Sequence, residues 1–134
     1  MICLDNSVLS RFASPRTYPE VTRYLSEHSG EPWTVPATVA YEYYAYFDSQ
    51  AEIRSQKRAL ESRLEGILPV TDDVAAEAAQ MEVTLEKQDI SLATADLLHA
   101  ATAREAGATF VTRDADDFDS DPIRQLFSVD MIRP

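Results

Sequence analysis

Alternating helices and strands around a largely parallel sheet are what this sequence predicts, on two observations. Gly30, Gly66 and Gly107 each close a helix-like run, and a short strand-like run follows each of them. Those runs are Pro32-Trp33-Thr34-Val35, Ile67-Leu68-Pro69-Val70 and Ala108-Thr109-Phe110-Val111-Thr112. Glycine just past a helix end is the expected left-handed cap, and helix–glycine–strand repeated three times marks an α/β chain. The second observation is size. With 134 residues, 45% of them hydrophobic, the chain suffices for one domain with one core and is short for two, so residues 1–134 are expected to form a single domain.

The elements follow in order. Residues 1–5 read as an apolar strand, with a short helix over 6–12. Val21, Tyr24, Leu25 and His28 recur at helical spacing, predicting a helix over 18–28. A strand is expected at 33–35. Pro36 suits the first turn of a helix running to about Phe47. Residues 49–65 form a charged amphipathic helix carrying Ile53, Leu60 and Leu64, and 67–70 a strand. Asp72 or Asp73 caps a helix to about Lys87. Ser91 or Thr94 opens another that ends before Gly107. Strands at 108–112 and 126–132 complete the chain.

Composition narrows the function classes. Asp and Glu number 23 against 12 Lys plus Arg, a formal net charge of −11. That balance argues against a broad basic surface that coats nucleic acid by phosphate neutralisation. The hydrophobic fraction argues against an acidic disordered tail. No run of about 18 apolar residues could span a membrane. The N-terminus Met1-Ile2-Cys3-Leu4-Asp5 lacks the basic and apolar regions of a signal peptide. Cys3 stands alone, so neither an internal disulfide nor a cysteine zinc site is available. A soluble, cytoplasmic protein with no membrane association is the expectation. Only Lys57 and Lys87 represent lysine. Low lysine with excess carboxylate is the composition of a protein kept soluble in high salt, so a halophilic source is one hypothesis and an ordinary acidic protein the other.

Most of the acids need only solvent. Four stand where burial or convergence is expected. Asp5 ends the first strand, and residues just past strand ends in an open parallel sheet face the ligand crevice. Asp114 follows the strand ending at Thr112 and belongs to the same edge. Asp96 lies in Leu92-Ala93-Thr94-Ala95-Asp96-Leu97-Leu98-His99-Ala100-Ala101-Thr102-Ala103, a helix apolar nearly all round. Glu42 lies in the mostly apolar Val39-Ala40-Tyr41-Glu42-Tyr43-Tyr44-Ala45. A carboxylate in such a helix is costly unless paired, hydrogen-bonded or bound to a cation. Converging carboxylates would suit a hard divalent ion, Mg²⁺ or Mn²⁺, which prefers oxygen ligands. The plainer alternative has each acid capping or ion-pairing: Asp5 capping the helix after it, Asp114 the turn Asp114-Ala115-Asp116-Asp117.

At these residues the chain resembles PIN-domain ribonucleases of the VapC toxin type. The segments that carry the resemblance are Leu4-Asp5-Asn6-Ser7-Val8-Leu9, Val39-Ala40-Tyr41-Glu42, Ala95-Asp96-Leu97-Leu98-His99-Ala100-Ala101-Thr102-Ala103 and Val111-Thr112-Arg113-Asp114-Ala115-Asp116-Asp117-Phe118. Their order and spacing cover nearly the whole chain. Asn6 departs from the threonine frequent in that family. The resemblance implies a PIN-like α/β/α sandwich around a mostly parallel sheet. It implies Mg²⁺- or Mn²⁺-dependent endonucleolytic cleavage of RNA, inhibition by a small cognate antitoxin, and a homodimer. Carried over by position, Asp5, Glu42, Asp96 and Asp114 form the acidic quartet. Asp5, Asp96 and Asp114 would be metal ligands, and Asp117, in the family's acid-before-Phe position, competes with Asp114 and Asp116 as the last of them. Ser7 and Thr112 match small hydroxyl positions that orient ligands or bind phosphate. Arg11, Arg16 and Arg113 lie near the predicted mouth, where Arg11 and Arg113 could grip phosphates; Arg16 reads better as a surface ion pair.

Other features are read conservatively. His99 is expected to be a packed, hydrogen-bonded core imidazole, and His28 a cation at a helix end. Trp33 is expected in the core. Tyr41, Tyr43, Tyr44, Tyr46 and Phe47 crowd one helix, so some should form an exposed aromatic patch, available to a protein partner or to RNA bases. Rival readings are weaker. An aspartyl-phosphate phosphatase of Rossmann-like class needs a second Asp two residues after the first, where this chain has Ser7. A response-regulator receiver needs an acidic pair and a late lysine that are not here. A catalytically weak PIN-fold binding module is the non-enzymatic alternative.

Overall fold

The computed structural model describes residues 1–134. In chain order the elements are β1 (Ile2–Leu4), α1 (Asn6–Phe12), α2 (Pro19–Glu27), β2 (Trp33–Pro36), α3 (Ala37–Tyr44), α4 (Gln50–Arg63), β3 (Gly66–Leu68), α5 (Asp72–Glu86), α6 (Thr94–Glu105), β4 (Thr109–Thr112), α7 (Ala115–Phe118), α8 (Asp121–Leu126) and β5 (Val129–Met131). The five strands form one sheet in the order β3-β2-β1-β4-β5, and every pairing is parallel. The expected α/β class with helices on both faces is therefore what the chain adopts.

Alternation along β1 and β4 sends side chains into two cores. Cys3 and Phe110 point to one face, where α5, α6, α7 and α8 close over them through Met81, Leu85, Ala100, Phe118 and Ile123. Ile2, Leu4 and Val111 point to the other, covered by Val8, Leu9, Val21, Leu25, Val39 and Leu60 from α1 to α4. Burial on both faces is why these strands read as continuous apolar runs. β1 lies at the centre, with β2 on one side and β4 on the other. The chain first winds outward from β1 through β2 to β3, then crosses back to β4. The strand order thus reverses between β1 and β4, and the crevice outside their carboxyl ends is where such sheets bind ligands.

Several local expectations are corrected. Only Gly107 is a left-handed cap, with φ of +67°. There Ala108 N–H bonds to the Ala103 carbonyl at 2.9 Å, closing the end of α6. Gly30 and Gly66 have no positive φ; Gly66 opens β3, because α4 ends in an extended Leu64 rather than in a left-handed turn. Pro36 does not start a helix. It is the last residue of β2, paired with Leu68, and its extended ψ of 144° makes it the residue before α3. Neither Asp72 nor Asp73 caps α5: Thr71 Oγ1 accepts from Val74 N–H at 3.2 Å, and the two aspartates fill the first turn, where the helix dipole favours them. α6 begins at Thr94 without a side-chain cap. α8, which the sequence reading missed, is a six-residue helix with proline in its first turn. Trp33 is half-buried rather than core, its indole N–H donating to the His28 carbonyl at 3.0 Å.

Candidate active site

Asp5 sits immediately after β1 and is 6% exposed. Its two oxygens do different work. Oδ1 accepts the Asn6 backbone N–H at 2.8 Å, capping α1. Oδ2 accepts the Ser7 hydroxyl at 3.1 Å and the Thr112 hydroxyl at 2.7 Å. Thr112, the last residue of β4, also accepts the Asp114 N–H at 3.0 Å, while Ser7 Oγ accepts the Arg113 N–H at 3.0 Å. Two hydroxyl groups therefore lock the carboxyl ends of β1 and β4 together around one buried carboxylate. Asp114 caps α7, its Oδ1 accepting the Asp117 N–H at 3.1 Å. Capping, the plainer sequence reading for Asp5 and Asp114, coexists with their convergence.

Asp96 reaches the same edge from the first turn of α6. Burial, then repulsion from Asp117, raises its carboxyl from 3.8 to about 6; the charges of Asp5 and Glu42 push the same way, and only His99 opposes them. Asp117 is raised as well, by its hydrogen bond to Asp114 first, then by burial and by the charges of Asp114, Asp116 and Asp5. Carboxylates from the end of β1 (Asp5), α3 (Glu42) and α7 (Asp117) thus act on Asp96 of α6, and no lysine or arginine is among the charges acting there. An all-oxygen, uncompensated donor set of this kind suits a hard divalent cation. As the side chains stand, no three His, Cys, Asp or Glu residues are drawn into a ready-made metal cage.

Glu42 is anchored by a residue that sequence reasoning left in the core. His99 is fully buried, and its Nε2 lies 3.0 Å from Glu42 Oε1 while its Nδ1 lies 2.7 Å from Thr38 Oγ1. The expectation of a hydrogen-bonded core imidazole is met, but one of its partners is a site carboxylate. Nothing in the spacing of residues 38, 42 and 99 announces this; only the packing of α3 against α6 creates it.

The arginines divide. Arg113 pairs with Glu20, which it holds below the usual carboxylate range. Arg11 donates to the Ser7 carbonyl at 2.7 Å and lies over the Tyr18 ring at 5.4 Å; Arg16 lies over the same ring at 5.9 Å. The ion pair expected of Arg16 is absent, and cation–π contact takes its place. Of the aromatic group, Tyr43 is buried whereas Tyr41 and Tyr46 stand exposed.

The fold and this edge define a class: a parallel α/β protein with carboxylates gathered at the point where strand order reverses. Residues 2–120 match the family model described as the PIN domain, and the chain belongs to that family. Among solved structures it is similar to FitAcB from Neisseria gonorrhoeae, 25% identical, covering 96% of each chain with a TM-score of 0.72. It is similar to VapBC-5 from Mycobacterium tuberculosis, a member of the VapBC family of toxin–antitoxin systems, 26% identical over 99% of this chain and 98% of that one, with a TM-score of 0.62. VapBC2 from Rickettsia felis, crystallised bound to a promoter DNA fragment, shares the fold at 19% identity over 98% of each chain, with a TM-score of 0.77. Comparison with curated proteins finds no match.

Proposed function

We propose that this chain is a divalent-metal-dependent endoribonuclease and the toxin member of a VapBC-type pair, neutralised by a small cognate antitoxin and acting as a homodimer. One observation carries the reading: Asp117, Asp5 and Glu42, from separate elements, all act to raise the Asp96 carboxyl, and no lysine or arginine is among the charges that oppose them. The likeness to VapBC-5 and the PIN family supports it.

In this reading Asp5, Asp96 and Asp114, with Asp117 beside them, hold Mg²⁺ or Mn²⁺. The ion, when bound, supplies positive charge to the scissile phosphate and lowers the pKa of a water. Asp117 is favoured over Asp116 as the last acid because its charge is the foremost one acting on Asp96. Glu42 takes the proton from the attacking water. His99 orients it: with Nδ1 2.7 Å from Thr38 Oγ1 and Nε2 3.0 Å from Glu42 Oε1, the ring fixes Oε1 and leaves Oε2 for the water. In-line displacement then leaves a 5′-phosphate and a 3′-hydroxyl. Ser7 and Thr112 orient Asp5, and Arg11 faces the flanking phosphate. Arg113, engaged with Glu20, is the weaker phosphate candidate.

The test is cleavage of single-stranded RNA with Mg²⁺, Mn²⁺ or EDTA. Asp5→Ala and Asp96→Ala should each lower the rate by roughly 10²–10⁴-fold, the scale of a lost acid–base or charge-stabilising group. Cleavage that survives EDTA, or full activity in both variants, overturns the mechanism. Toxicity on expression that no neighbouring reading frame relieves overturns the toxin role.

A further inference from the structure

Beside the carboxylate cluster lies a cavity of about 500 Å³ whose wall includes Asn6, Arg11, Tyr18, Glu42, Tyr46 and Phe47. Its volume falls in the range of small-ligand sites, roughly 300–1,000 Å³. Two of its residues belong to or adjoin the acidic edge: Glu42 itself, and Asn6, the neighbour of Asp5. The cavity therefore opens from the place where the scissile phosphate would lie.

Three features say what it would take. Tyr46 is 84% exposed and meets Phe47 edge-on at 5.9 Å, an aromatic face left uncovered at the rim. Arg11, in this wall, lies over the Tyr18 ring at 5.4 Å and forms no salt bridge, in a chain of net charge −11. Asn6 Oδ1 and Arg11 Nε are buried without any hydrogen-bond partner, which is costly for both groups. An occupant that draws these side chains outward gives each the partner it lacks: one acceptor and one donor of the same wall.

We propose that this cavity is a nucleobase subsite, which seats an unpaired purine next to the scissile phosphate and prefers guanine. The proposal rests on the nuclease reading and specifies its substrate. Guanine offers O6 to Arg11 Nε, the guanidinium nitrogen left buried and unpartnered while the rest of the group borders the flanking phosphate, and N1–H to the Asn6 carbonyl on the same edge, an order that adenine's N6–H and N1 reverse. Its ring face stacks on Tyr46, as unpaired bases do on exposed aromatics. A helix of a protein partner would want an apolar floor; this wall mixes aromatic rings with unpaired polar and cationic groups.

Binding of guanosine, adenosine, cytidine and uridine 5′-monophosphates to the metal-free full chain, followed by amide and side-chain NMR, tests this directly. Guanosine monophosphate should bind tightest and shift the signals of Asn6, Arg11 and Tyr46. Tyr46→Ala should weaken that binding and raise KM for RNA by about tenfold, the loss of one stacked base; Tyr46→Phe should do neither. Nucleotides that shift no signal in this wall, or a Tyr46→Ala variant with unchanged KM, overturn the subsite while leaving the nuclease reading intact. Nucleotide binding here in a wild type that cuts no RNA supports the subsite and overturns the nuclease reading. A Tyr46→Ala variant that binds nucleotides normally but escapes a neutralising protein assigns the cavity to that protein and overturns the proposal.

Discussion

Asp117 and Asp119 stand two residues apart and have opposite surroundings. Asp119 accepts from Arg124 at 2.9 Å and from Arg133 at 2.6 Å, and these partners hold its carboxyl below the usual range. Asp117 faces Asp114, Asp116 and Asp5, and is pushed up. The residue between them, Phe118, is fully buried and anchors both sides. In one direction the chain supplies its own cations; in the other it gathers carboxylates and supplies none. In the proposed function an external cation would be the partner that the Asp117 side lacks and the Asp119 side does not need.

The largest test of that contrast is the cation itself. Mg²⁺ at a hundredfold excess over its Kd should stabilise the folded chain by about 2.7 kcal/mol and raise Tm by about 10 °C. Thermal unfolding in EDTA and in Mg²⁺ measures it, and Asp96→Ala should abolish the difference. An equal rise in both proteins would break the comparison. Next comes the hydroxyl lock. Thr112→Val keeps the shape but removes the donor to Asp5 Oδ2, so it should cost about 2 kcal/mol, the worth of a hydrogen bond to a charged group. It should also weaken metal binding roughly 10–100-fold. Urea unfolding and metal titration report the two effects separately.

A smaller effect, of opposite sign, is expected from Asp96→Asn without metal. The folded carboxyl titrates at about 6 against 3.8 for the free group. It therefore binds its proton more tightly in the folded state, and its ionisation destabilises the fold. That penalty is absent below pH 4, grows as pH rises through 6 and is full above it. The asparagine variant should gain about 1–2 kcal/mol at pH 7, a figure discounted for partial exposure, and nothing at pH 4. A gain independent of pH would show that the raised carboxyl is not the cause. The smallest effect should come from Asp119→Ala, which breaks two exposed pairs. Its stabilisation is present above the ordinary carboxylate range, is lost as pH falls below it, and shrinks in molar salt. Melting curves across KCl check it.

Much of this was legible beforehand because it is local. The strand at Ile2–Leu4, the α2 face of Val21 and Leu25, and the buried α6 all follow from periodicity within a few residues. Asp5, Asp96 and Asp114 stood out because each interrupts or ends an apolar run. What misled was local chemistry with two outcomes. Pro36 suits a helix start and a strand end equally well, and Thr71 outbid two neighbouring aspartates as the cap of α5.

The sequence by itself determined which elements form, in what order, and which acids lie at their ends, since those depend on neighbours along the chain. The tertiary structure alone decided that β4 lies beside β1, and so brings Thr112 to Asp5 across 107 positions. It alone set His99 against Glu42 across 57 positions. It also turned Arg113 toward Glu20 and left Arg11 at the cavity, over the Tyr18 ring. Such pairings depend on which strand and helix become neighbours, and that choice is made by burying both faces of one sheet at once.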